Sequence, residues 1–376
     1  MVLQVGGGMI TKTVGVGGDY ANFDLALEAY AVGLLADDLT LNQISADIAE
    51  PALSGSRQVN LNGHTLRITC SYNEANPDDW QNWYKLNCGA STGLKVVVDG
   101  AAGIKAGNVV VDYMYIVWTS GAVGGLQFCL HIIDTSSMVS QQSIDRCHID
   151  GNNGAGSDLN CISISQDVAA QTTVTNCKLW GAKRSIYVND LAYGTTVIED
   201  CTMRSTDAAF DAAYAVCYIR GSGITNIINS VATQPNFALL NGFCYRKSTI
   251  DSADVKMNLY NSASEDARIT GYADIAVDCE ENITPADEFQ SLDDTNATFL
   301  FLTEAVLGAD FVGVPLAGNR PLSVAFTDLS AYDYGDGVLG YSGTVPTHAG
   351  ATDIAGNDRP NFESKYAIGC HEATLA

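Results

Sequence analysis

Apolar and polar residues alternate in short runs along the middle of this chain, and one arrangement of them recurs. Ile144-Asp145-Arg146-Cys147-His148-Ile149, Val174-Thr175-Asn176-Cys177-Lys178-Leu179, Ile198-Glu199-Asp200-Cys201-Thr202-Met203 and Ile227-Ile228-Asn229-Ser230-Val231 each place an apolar residue, then polar ones, then a small buriable one. In the first three an apolar residue follows two positions after the cysteine. That period-two spacing predicts a short strand with one buried face. The small residues at 147, 177, 201 and 230 lie 30, 24 and 29 residues apart, a spacing that marks a repeat architecture. A second apolar strand is predicted after each, at Ile162–Ile164, Ile186–Val188, Cys217–Ile219 and Phe243–Tyr245.

The residue before each small anchor is Arg146, Asn176, Asp200 or Asn229. Asn and Asp tolerate the left-handed backbone of a tight corner, and Arg146 suits it less well. Each repeat therefore reads as one coil of an all-β solenoid. A coil cannot bury its apolar face alone, so several must stack. Stacking would align Cys147, Cys177, Cys201 and Ser230 in one interior column, with Asn176 and Asn229 at the corners.

Residues 1–40 read as a strand and a capping helix. The helix is expected over Asn22–Leu35, with Asn22 as N-cap and Phe23, Leu27, Tyr30 and Leu34 on one face. Coils are expected over 41–260, interrupted by an inserted polar and aromatic loop at 71–92. Residues 261–376 are read as final coils and a loop-rich cap, with strands near Asp274–Asp278, Thr298–Leu302 and Tyr366–Cys370.

Composition narrows the classes. Charged residues make up 16% of the chain against 47% hydrophobic, which fits short strands and uncharged corners better than amphipathic helices. With 36 Gly and 8 Pro, turns fall to Gly, Asn, Asp and Ser. A net charge of −24 excludes nucleic-acid binding through a general basic footprint. It also repels anionic glycans unless a local basic patch or Ca²⁺ intervenes. The 11 cysteines form no CxxC pair and no zinc spacing, so they are expected as buried small hydrophobes. No metal and no cofactor is expected. The first residues lack a basic head followed by an apolar run, and no apolar stretch is long enough for a membrane span, so synthesis in a reducing cytoplasm is expected.

Three places resemble the pectin-lyase-like superfamily. Thr13-Val-Gly-Val-Gly-Gly-Asp-Tyr20, followed by Ala26-Leu27, is similar to the entrance of carbohydrate-esterase-type members. The coil pattern at Cys147, Cys177 and Cys201 is the second. The third is Thr352-Asp-Ile-Ala-Gly-Asn-Asp-Arg-Pro360 with Tyr366-Ala-Ile-Gly-Cys-His-Glu372, similar to the ending of many surface members. The resemblance implies a single-stranded right-handed parallel β-helix. It does not bring the catalytic set with it. Where a pectin methylesterase segment of the same outline holds Gln and Asp, this chain has Lys183 and Arg184, and a cation cannot act as the general acid.

Candidate chemistry is sparse. Acidic pairs at Asp37-Asp38, Asp78-Asp79 and Asp293-Asp294 read as turn residues, although Asp145, Asp200, Asp207 and Asp211 from neighbouring coils have the chance to converge. Asp150–Asp158 misses the calcium-loop spacing and reads as a corner. Lys183, Arg184, Arg220, Arg246 and Lys247 lie in or beside the second strands and outline a surface basic stripe. Trp80, Trp83 and Tyr84 are candidates for stacking on a glycan.

The resulting expectation is a non-enzymatic structural protein. By analogy with the β-helices of tailed phages, it would be a virion decoration protein, head fibre or spike, assembled in the host cytoplasm. Its partners would be itself, as a trimer burying Tyr113, Tyr115 and Trp118, and capsid or tail proteins. The alternative is a secreted or surface protein that binds or degrades polysaccharide.

Overall fold

The computed structural model describes residues 8–300 except positions 32, 51–57, 78, 89–92, 99–105, 120–125, 135–138, 153–157, 166–170, 190–193, 206–214, 221–222, 229, 235–242, 249–254, 261, 267–272, 278, 282, 284–290, 293 and 296–299. Asn229, Asp207, Asp211, the strands expected near Thr298–Leu302 and Tyr366–Cys370, and the motifs at 352–372 lie outside the described residues.

The chain is an all-β parallel β-helix. Among the described residues its strands fall into three sheets, and each strand pairs in parallel with the equivalent strand one coil away. The coil that starts at Gln171 shows the plan. Gln171–Thr175 belongs to a ten-stranded sheet (sheet I), Lys178–Trp180 to a nine-stranded sheet (sheet II) and Arg184–Val188 to a seven-stranded sheet (sheet III). The next coil begins at Thr195–Glu199. Each coil thus carries three strands, where the apolar pattern had shown two.

Stacking in register builds continuous interior columns. In sheet I, Ile68, Val111, Ile144, Val174, Ile198, Ile227 and Leu259 are successive partners, all fully buried. Burying such a side chain stabilises by roughly 1.5–3 kcal/mol. Between sheets I and II stands the column of anchors. Cys147, Cys177, Cys201 and Ser230 are fully buried, and Met114 and Ser262 extend the column at either end. The backbone ladder runs straight through it: the N–H of Lys178 donates to Cys147 O, that of Thr202 to Cys177 O and that of Val231 to Cys201 O, at 2.9–3.0 Å. The Ser230 hydroxyl does what a thiol cannot do as well, accepting from the Cys201 N–H at 3.1 Å. The residues before the anchors take left-handed backbone, with φ of 52° at Tyr113, 49° at Arg146, 51° at Asn176 and 53° at Asp200. Arg146 takes this conformation in spite of its side chain, which bonds Asp145 at 2.6 Å and lies over the Tyr113 ring.

The N-terminal end is closed by strand β1 (Met9–Val14), helix α1 (Phe23–Tyr30) and strand β2 (Asp38–Gln43). The Asn22 side chain accepts from the Leu25 N–H at 2.9 Å and starts α1. The helix is shorter than expected. It ends before Gly33, whose φ of 132° belongs to no helix, and Leu34 leaves it to bridge Asn60. Phe23, Ala26 and Leu27 face the core. The expected loop at 71–92 contains short helix α2 (Ser71–Ala75), a 3-10 turn at Trp80–Asn82 and a full sheet II strand, Lys85–Cys88.

Candidate functional site

Period-two alternation that sends Ile186, Cys217 and Tyr245 inward sends their neighbours outward. On the outer face of sheet III, Lys95, His131, Ser163, Tyr187, Tyr218 and Arg246 are successive partners across the coils. The parallel pairing places them about 4.8 Å apart along the axis. Tyr187 and Tyr218 stack, with ring centres 6.0 Å apart and planes 29° apart. Arginines interleave with the rings. The Arg184 guanidinium lies 5.2 Å from the Tyr187 ring and 5.8 Å from Tyr218, and Arg246 lies 5.7 Å from Tyr218 and 4.8 Å from Phe243. Arg220 donates to the Tyr187 hydroxyl at 3.2 Å.

Of the cations expected to form a stripe, the structure brings Arg184 and Arg246 over these rings and Arg220 to the Tyr187 hydroxyl. Arg184 is buried and also donates to Asn160 Oδ1 at 3.1 Å. Arg220, Arg246, Lys247 and Lys183 are half-buried. Lys247 is paired with Asp274. Guanidinium charges gathered beside aromatic rings suit a carboxylate or a sulfate, with which arginine pairs in bidentate fashion. At the other end of the column His131 is kept neutral: burial, with help from Lys95, lowers its pKa to about 3, and it bonds the Ser165 hydroxyl at 3.2 Å. Tyr187 and Tyr218 were not among the candidate residues, although their alternation with Ile186, Val188, Cys217 and Ile219 carried the signal.

A second aromatic group sits on sheet II, and it is closed. Tyr115, His148 and Lys178 form an outward column there. The 71–84 insert folds over it. Trp80 stacks on His148 with ring centres 5.3 Å apart, Trp83 meets the same ring edge-on at 4.6 Å, and the Lys178 Nζ lies 4.0 Å over Trp80. Trp80 is 4% exposed, Trp83 2% and Lys178 0%. Burial, followed by the Lys178 charge, drives the His148 pKa far down. Rings packed this deeply have no face left for a sugar, so the stacking role expected of Trp80 and Trp83 is corrected to packing. Tyr84 is half-buried and stacks on Tyr72 at 4.1 Å. Tyr115 and Trp118, expected on an oligomer interface, are likewise already buried within the chain.

Of the carboxylates expected to converge, Asp145 stands in register with a carboxylate of the neighbouring coil. Asp112 and Asp145 are partners at the corner of sheet I. Arginines engage both: Arg67 holds Asp112 through Nε at 2.9 and 3.1 Å and Nη2 at 2.8 Å, and Arg146 holds Asp145. Asp145 also accepts from the Thr175 hydroxyl at 2.7 Å and the Asn176 amide at 3.1 Å. Burial raises the Asp112 pKa while Arg67 opposes the rise. Asp200 is fully buried in its corner. These groups brace the corner, and none is set as an acid facing a base across open space.

No family model matches the chain, and no curated protein matches its sequence. Among solved structures, the chain is similar to a crystal structure of pectate lyase Pel9A, at 9% identity and a TM-score of 0.35, over 98% of each chain.

Proposed function

We propose that this chain is a non-enzymatic, rigid β-helix whose sheet III face holds an acidic polysaccharide. The observation that carries the reading is the interleaved column of Tyr187, Tyr218, Arg184, Arg220 and Arg246. In a chain of net charge −24, a concentrated row of guanidiniums is what an anionic polymer needs in order to approach. The half-buried members Tyr218, Arg220 and Arg246 supply the contact surface, where the two guanidinium charges meet a carboxylate or sulfate. The buried members Arg184 and Tyr187 hold the row straight. The spacing is set by the backbone ladder, so a polymer lying along the axis meets one outward side chain of the row at each coil. Asp112 and Asp145 are engaged by Arg67 and Arg146, which favours binding over cleavage.

Affinity electrophoresis of the full chain in gels containing alginate, heparin or dextran tests this. Retardation is expected in the two acidic polymers and absent in neutral dextran. The double variant Arg220→Ala/Arg246→Ala, at half-buried positions, is expected to lose roughly tenfold in affinity per arginine, with thermal unfolding unchanged. Equal retardation in dextran, or no effect of the double variant, refutes the reading. Appearance of new reducing ends during incubation replaces it with the degradative alternative.

A further inference from the structure

Among the described residues, the exposed large apolar side chains all lie in the N-terminal cap. Met9 is 74% exposed, Val16 87%, Leu25 43% and Leu34 56%. They stand on β1, on the turn after it, on α1 and on the segment that leaves α1. Elsewhere large apolar side chains are drawn into the columns, so their gathering at one end calls for a cause.

Two further features coincide there. β1 is the last strand of sheet I, so one of its edges meets no described strand. The turn that follows covers only the Thr13–Val14 end of that edge: Tyr20 N–H donates to Thr13 O at 3.1 Å, Gly15 N–H donates to Tyr20 O at 2.8 Å, and Val14 bridges Tyr20. Met9–Lys12 remain open on that side among the described residues. Secondly, the cap is acidic. At the surface of residues 8–38 stand Asp19, Glu28, Asp37 and Asp38 against one cation, Lys12. Lys12 is itself paired with Asp19 at 3.3 Å.

We infer that the N-terminal end of the β-helix is a docking surface, whose partner is a protein adding an extended segment of alternating apolar and basic residues along β1. The open edge offers main-chain hydrogen bonds to an added strand. Met9 and Val16 offer apolar contact beside it. The acidic rim selects lysine or arginine at the intervening positions and speeds encounter. A second copy of this chain is the wrong occupant, since it would bring the same acidic rim against this one.

The probe is a fluorescently labelled peptide alternating valine and lysine, with a valine and glutamate peptide as control, titrated against the full chain by anisotropy. The lysine peptide is expected to bind about tenfold or more tightly than the control, and to weaken with added salt. Met9→Lys/Val16→Lys, at exposed positions, is expected to weaken it by about tenfold with thermal unfolding unchanged. Equal binding of the two peptides overturns the inference, as does indifference to the double variant. A self-associated species in sedimentation that Met9→Lys/Val16→Lys dissolves also overturns it, by making a second copy the occupant.

Discussion

Glu50 ties the capping helix to the coils, and its replacement by Gln gives a quantitative test of how the cap is held. Glu50 ends the first strand of sheet II, Ile48–Glu50. Its carboxylate sits beneath the start of α1, with Oε1 accepting from the Phe23 N–H at 2.6 Å and Oε2 from the Asp24 N–H at 3.1 Å. Two of the donors that a helix N-terminus leaves without partners are satisfied in this way. Burial, opposed by these two hydrogen bonds and reinforced by the Asp24 charge, pushes the Glu50 pKa from 4.5 to about 7. The folded chain therefore keeps this proton over a range in which the unfolded chain has released it. Glu50 contributes its full stability below about 4.5, loses it as pH rises toward about 7, and is level above that. The gap corresponds to about 3 kcal/mol. Asp150 adds a fall of the same sign, because burial raises its pKa to about 6. The comparison with Glu50→Gln removes the Asp150 part. Urea unfolding at about pH 5 and about pH 8, with hydrogen exchange of the α1 amides, reads the effect. The stability difference between Glu50→Gln and the parent is expected to move by about 3 kcal/mol in favour of Gln between those conditions. Parallel pH curves for the two proteins would refute the placement of a buried carboxyl under α1.

Two further expectations concern the coil interior. A Cβ added at Gly93 would lie 2.1 Å from Cys129 O and 2.3 Å from Phe128 O, and backbone cannot move aside as a side chain does. Gly93→Ala is therefore expected to cost about 1–3 kcal/mol in urea unfolding, and a neutral result would mean that the coils are not seated this closely. Nine of the ten described cysteines are buried, and burial raises the Cys147 and Cys177 thiols well above the usual range. Peptide mapping after iodoacetamide treatment of the native protein is expected to find Cys147, Cys177 and Cys201 unmodified and Cys279, which is partly exposed, modified first. Rapid native labelling of the column would contradict its position.

The interior columns were legible because they obey a local rule. A strand of period two must show its buried residue every second position, and a corner that admits one small side chain shows a Cys or Ser at each return. The strands of sheet I were less legible because their inward positions are partly polar. Gln142, Thr172, Thr196 and Thr225 are partners in one fully buried or nearly fully buried column, with the Thr172 hydroxyl donating to Gln142 Oε1 at 3.2 Å. Such residues read as surface in a sequence, and only stacking gives them one another. Arg146 shows the same limit in the backbone. A non-glycine residue in the left-handed region loses about 1–2 kcal/mol. The coil compensates with the Arg146 N–H bonded to Thr175 O at 3.1 Å, the ion pair to Asp145 and the burial of Cys147. Of these, the Thr175 carbonyl comes from the next coil, beyond the corner itself.

The outer faces carry the functional argument, and their fates diverged for a reason that alternation cannot express. Tyr115, His148 and Lys178 on sheet II and Tyr187, Tyr218 and Arg246 on sheet III follow the same outward rule. The difference lies in what crosses above them. The insert at 71–84 comes from an earlier coil and folds over the sheet II column, and Gln81 is fastened from the other side by a bond to Thr295 O at 2.9 Å. That contact joins residues 214 positions apart, so no local pattern announces it. Once the cover is in place, a lysine over Trp80 is a packing group. On sheet III, Tyr218, Arg220 and Arg246 stay within reach of solvent, and the same combination of cation and ring becomes a surface on which an anion can settle. Chemistry on a parallel β-helix is therefore decided coil by coil by which loops return to which face, while residue identity fixes only what would be available if the face stays open.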